Sequence, residues 1–175
     1  MSFKTFSDIM EQIATLPQNE QEHIMTLFAT IRPTYALQKE LLEYILDIRA
    51  RDEVTVGDIL KDEIKKIVTN SSLTREQKLT YVRQYLRKRR FPLLSQAETI
   101  FAQRIKALNL PPTCHLIPPL YWEDNVYKIT FNFKNTKDAT NKLEQLLEIS
   151  RSKGWQELIN EDWFETLFPS ESTDR

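Results

Sequence analysis

Lys78, Arg83, Arg87, Lys88, Arg89 and Arg90 crowd into one stretch, 74–101 (TREQKLTYVRQYLRKRRFPLLSQAETIF). The chemistry open to such a set is anion binding. A guanidinium is planar and donates two parallel hydrogen bonds to phosphate or carboxylate oxygens. On a helix, positions 83, 87 and 90 fall on one side, and Lys78 extends that row. A row of this kind is expected to contact the phosphates of DNA, with affinity that is salt-sensitive and tolerant of sequence. A second reading stays open. The last four basic residues end a helix, where exposed carbonyls favour cations by about 0.3–1 kcal/mol each. They would then be solvated or paired within the chain, and Glu157, Glu161, Asp162 and Glu165 are candidate partners. Tyr81 and Tyr85, one turn apart beside the row, either stack on bases or belong to the edge of a core.

Other chemistries lack their residues. His23 and His115 are far apart, and neither has a second His or Cys at metal-ligand spacing, so no metal is expected. Cys114 and His115 are adjacent on an expected strand and point to opposite faces, which argues against a nucleophile–base pair. The chain has two glycines, Gly57 and Gly154, too few for a P-loop or a dinucleotide fingerprint. No cofactor and no enzymatic activity are expected. Cys114 stands alone, so there is no internal disulfide framework; it reads as a small buried hydrophobe in a reducing, cytoplasmic protein. The first residues carry acids and no apolar core of a secretory signal. No apolar run is long enough to span a bilayer.

The net charge of −1 conceals a strong asymmetry. Residues 71–110 hold nine Lys or Arg and two acids, a net +7, whereas 1–70 and 111–175 carry −4 each. A field that concentrated attracts polyanions.

Helices must position these side chains. Ser7 is a cap for a first helix through Ile9, Ile13 and Leu16, stopped by Pro17. Asn19 and Glu22 form a capping-box-like start for a second, which ends before Pro33. A third begins near Thr34 and runs to about Ala50 along Leu37, Leu41, Leu42, Ile45 and Ile48. Thr55 with Asp58 starts a fourth, through Ile59, Ile64, Ile67 and Val68. Thr74 with Gln77 starts the basic helix, with Leu79, Val82, Tyr85 and Leu86 inward, and Pro92 ends it. Phe91 reads as a lock between helices. Ser95 with Glu98 starts a sixth helix, which ends at Leu110. Cys114–Ile117 and Val126–Phe133 then read as strands joined by a turn at 123–125, and a helix follows through Ala139, Leu143, Leu146 and Leu147 to Gly154. Two strands alone are marginal, so they must pack on a helix or pair with another chain. The expected fold is mainly α, a bundle of about six helices followed by a small β-β-α unit, α+β in all. Its divisions are 1–110, a helical domain; 111–168, a hairpin-plus-helix lobe; and 169–175, a polar tail.

Thr55–Arg90 invites comparison with a helix-turn-helix. The connection at 69–73 is longer than that motif's turn and lacks its glycine. The basic residues also gather at the far end of the would-be recognition helix. Trp155, Trp163, Phe164 and Phe168 either dock on the core or form a protomer interface, so segments 114–133 and 155–168 are the candidates for homodimer or partner contacts.

Residues Leu86–Pro92 (LRKRRFP), Ala97, Glu98, Phe101, Leu108–Pro111, Pro118, Pro119 and the Tyr127/Phe131/Phe133 strand resemble the C-terminal region of bacterial ParB-like partition proteins. Gln38–Glu43 and Thr55–Leu60 add to the likeness, which covers roughly residues 35–150. The resemblance implies DNA association or dimerisation in chromosome or plasmid partition. The family's N-terminal nucleotide-binding domain, with its Gly-Arg-Arg-type box, is absent here, so nucleotide hydrolysis is not carried over. The remaining reading is a protein-interaction or dimerisation adaptor that makes no DNA contact.

Overall fold

The computed structural model describes residues 6–122, 126–159 and 167, with Tyr121 described in its backbone alone. Helices dominate, and a two-stranded antiparallel sheet followed by a helix completes an α+β fold. The chain divides into two compact units, Met1–Phe91 and Pro92–Arg175. The division therefore falls about 20 residues before the expected boundary at 110, because the helix after Phe91 builds its core with the hairpin.

The first unit contains α1 (Ser7–Ala14), α2 (Gln18–Ile31), α3 (Tyr35–Asp52), α4 (Val56–Leu60), α5 (Glu63–Thr69) and α6 (Arg75–Arg90). Its core is the apolar stripes of these helices, with Ile24, Phe28, Leu41, Ile45, Ile59 and Leu86 fully buried. Thr55 and Asp58 form the expected capping box at α4, and Thr74 and Gln77 form the one at α6. The expected box at Asn19 does not form. α2 begins two residues earlier than an Asn19 cap implies, with Pro17 in the cap position and no side-chain cap. Ser7 likewise lies inside α1, whose cap position is Phe6. The expected fourth helix is two helices, broken at Lys61 and Asp62, where Asp62 takes φ 60° and ψ −100°. With so few glycines, α2 and α3 end on left-handed Arg32 and Glu53, positions that usually go to glycine.

The second unit contains α7 (Pro92–Leu108), β1 (Cys114–Ile117), a short 3-10 helix (Leu120–Trp122), β2 (Lys128–Phe131), α8 (Thr136–Ser150) and α9 (Lys153–Ile159). Pro92 opens α7; its fixed φ suits a first helical position and its missing N–H costs nothing there. Ser95 is consequently three residues into the helix and buried, so it does not cap α7 as expected. The strands pair with Cys114 opposite Phe131 and Leu116 opposite Ile129. β2 is shorter than expected, and the turn at 123–125 lies outside the described residues. Leu116 of the sheet joins a core with α7 and α9, and Lys142 ties α8 to the residues flanking the strands, Thr113 and Asn132. Ala97, Phe101, Leu116 and Leu158 form one core, and the Phe101 ring meets Trp122 edge-on at 5.2 Å and stacks on Tyr127 at 6.1 Å. Trp155 packs on this core, as docking predicts; Trp163, Phe164 and Phe168, and the tail at 169–175, lie outside the described residues. Gly154 does not end α8. It sits in α9, where an added Cβ would come within 3.3 Å of Leu108. On α8, Leu146 is buried while Leu143 and Leu147 are both 53% exposed.

Candidate functional site

α6 lies parallel to α3, and its basic row faces an acidic one. Arg83 Nε donates to both carboxylate oxygens of Glu40, at 2.9 and 3.0 Å. Arg90 Nε donates to Asp47 at 2.5 Å. Both pairs are separated by 43 residues, so a single helical register matches Glu40 and Asp47 with Arg83 and Arg90. Arg89 reaches Asp52 at 3.2 Å. Between the two pairs, the Tyr44 hydroxyl donates to Glu40 at 2.7 Å. Burial, then the bond to the Glu40 carboxylate, pushes the Tyr44 phenol up to about 12, while Arg83 and Arg87 pull it down.

The end of the row has its own arrangement. Parallel helices bring two negative dipole ends together, here the C-termini of α3 and α6. Arg51 from α3 donates to the last carbonyls of α6, Nη1 to Arg90 at 3.0 Å and Nη2 to Arg89 at 2.9 Å. Its hydrogen bond to Asp52 holds that carboxyl below its ordinary range, with Arg89 assisting. The Arg90 guanidinium lies over the Phe91 ring at 4.8 Å, and that ring meets Tyr44 edge-on at 5.8 Å. Phe91 thus locks α6 onto α3. The basic cluster has a structural account: its arginines pair with the acids of α3, while Arg51 of α3 satisfies the last carbonyls of α6.

Each expected contact residue can now be placed. Arg83, Arg89 and Arg90 are in ion pairs with α3. Lys78 is half-buried and donates to the Val68 carbonyl at 2.8 Å, at the exit of α5. Arg87 is half-buried beside Tyr44. Lys88 is exposed and makes no ion pair among the described residues. The internal partners are Glu40, Asp47 and Asp52, where the sequence pattern had pointed to the acidic C-terminal segment. Of that segment, Glu157 pairs with Lys153, and Glu161, Asp162 and Glu165 lie outside the described residues. The signal for the real partners was the equal spacing of the acids at 40 and 47 and the arginines at 83 and 90. Tyr81 is exposed and Tyr85 packs at the edge of the core. The first turn of α6, where a recognition helix contacts bases, has Arg75 bound to Glu76.

Cys114 is buried on the inner sheet face and His115 is exposed on the other. Burial raises the Cys114 thiol above its ordinary range, which suits an unreactive core residue. Among the described residues, no group of three His, Cys, Asp or Glu side chains could hold a metal ion, and no helix is long and apolar enough to cross a membrane. Comparison with protein-family models, curated proteins and solved structures finds no match for this chain.

Proposed function

We propose that the chain is a non-enzymatic interaction module whose second unit pairs with another copy of itself through the hairpin and α8. The observation that supports this most is the uncovered apolar surface: Ile129 is 43% exposed, Phe133 60%, and Leu143 and Leu147 53% each. A two-stranded sheet is marginal alone and offers an unpaired edge on each strand, so a second hairpin would extend it. Lys142 ties α8 to the residue after β2, donating to the Asn132 carbonyl at 2.6 Å and to Asp138 at 3.1 Å. Light scattering on the full chain from low to high micromolar concentration is expected to show a shift from monomer to dimer mass. Phe133→Ser with Leu147→Ser should abolish that shift. A monomer throughout the range would sink the reading.

A second reading, DNA association through α6, is favoured by the exposure of Lys88 and of half the Arg83 side chain, together with the ParB-like resemblance. If Arg83, Arg87, Lys88, Arg89 and Arg90 all contacted phosphates, the slope of log K against log salt would be about −4.5. With at least three of the five held by carboxylates, a slope no steeper than about −2 is expected for a random-sequence duplex. Fluorescence anisotropy at several salt concentrations separates the two values. A slope near −4.5, flattened by neutralising Arg87, Arg89 and Arg90 together, would restore the whole row as a DNA contact.

A further inference from the structure

The first unit carries a trough between α2 and the α4–α5 pair that nothing above employs. Its volume is about 560 Å³. On α2 the lining runs from Asn19 to Thr30, and on α4–α5 from Gly57 to Val68. Both walls follow one pattern, with lining residues at offsets of 0, 3, 4, 7, 8 and 11 from the first. The α2 wall is one helical stripe, about 16 Å long at 1.5 Å per residue. The α4–α5 wall keeps the same sequence spacing across its break at Lys61 and Asp62. The floor is apolar: Leu27 and Ile64 are buried, and Leu60 and Val68 are half-buried. A long open trough with an apolar floor suits a helix laid along it better than a small molecule, which proteins usually enclose.

Charge differs between the walls. On the α4–α5 side stand Lys61, at the break, and Lys65, on α5. Lys61 is bound to Asp58 at 2.9 Å, whereas Lys65 has no ion pair among the described residues. On the α2 side stand Glu22 and His23. The His23 ring lies against Gly57; a Cβ there would come within 3.1 Å of its Cε1. Glycine thus leaves the mouth of the trough open where any side chain would narrow it.

We propose that this trough binds an amphipathic helix of about three turns from a partner protein, its apolar face on Leu27, Leu60 and Ile64 and an acidic edge toward Lys61 and Lys65. The site is separate from the hairpin and does not rest on the dimer reading. The probe is a labelled synthetic 16-residue helix with Leu at i, i+3, i+4 and i+7 and two Glu one turn apart along one edge, titrated with the full-length chain. Micromolar binding is expected. Gly57→Leu should weaken it at least tenfold. Lys65→Glu, a surface change that leaves the core intact, should weaken it about fivefold and restore affinity for a peptide with Lys in place of the two Glu. No binding by the unsubstituted chain, or binding indifferent to both substitutions, overturns the proposal. So does displacement of the peptide by a long-chain carboxylate at equal concentration, which would assign the trough to a small amphiphile. A dimer mass that disappears in Gly57→Leu while Phe133 and Leu147 are intact would assign it to a second copy.

Discussion

Tyr44 stands where the acidic face of α3 meets the basic face of α6, and its hydroxyl reports on that junction. Its ionisation is pushed up to about 12 from an ordinary value of 10. In the unfolded chain the phenol ionises near 10, while the folded protein keeps its proton to higher pH. The contribution to stability is therefore complete below pH 10 and is lost as pH rises from 10 to about 12. Phenolate absorbance is expected to show a late tyrosine step near pH 12, and Tyr44→Phe should remove that step. The absence of that late step would mean that the junction is open in solution. The basic residues themselves were legible in the sequence. Their partners left only one trace, the equal spacing of 40 and 47 with 83 and 90, because a partner is set by how two distant helices pack.

Caps explain most of what was and was not readable at the level of elements. Thr55 with Asp58 and Thr74 with Gln77 start helices as their spacing implies, since nothing upstream can begin the helix earlier. Asn19 with Glu22 and Ser95 with Glu98 have the same spacing but follow Pro17 and Pro92. Pro92 itself opens α7, and Pro17 takes the cap position of α2 with its carbonyl accepting from Glu20 and Gln21, so each would-be cap is drawn inside. The helix ends tell a complementary story. Glu53 closes α3 at φ 53°, a conformation that strains residues with a Cβ. Glu53→Gly is expected to raise stability by about 0.5–1 kcal/mol, after allowing for glycine's greater freedom in the unfolded chain. Chemical denaturation measures this, and a loss of stability would show that the Glu53 side chain does more than end a helix.

For the molecule as a whole, the break after Phe91 separates two cores, one built on Phe28, Ile45 and Leu86 and the other on Phe101, Leu116 and Leu158. The composition change near 111 marks where strands begin, and that is why it suggested a boundary there. The true division depends on α7, whose amphipathic pattern is the same whether it joins helices or a sheet. A fragment of residues 1–91 is expected to melt cooperatively and to keep a helical spectrum, because its buried residues find their neighbours within it. A non-cooperative melt would mean that the first core needs the rest of the chain.

Parallel helices cannot be joined by a tight turn, and this has a consequence for synthesis. The 43 residues between Glu40 and Arg83 must leave the ribosome before α3 meets its partner. At cellular elongation rates this is a wait of roughly 2–9 s. Meanwhile α1 and α4 can cover only part of α3, and the flank destined for α6 stays wet. The nascent chain therefore passes through a stage in which an apolar stripe edged by Glu40, Asp47 and Asp52 is open to chaperones. The arginine run that closes this stage is also nearly the last part of the unit to be made.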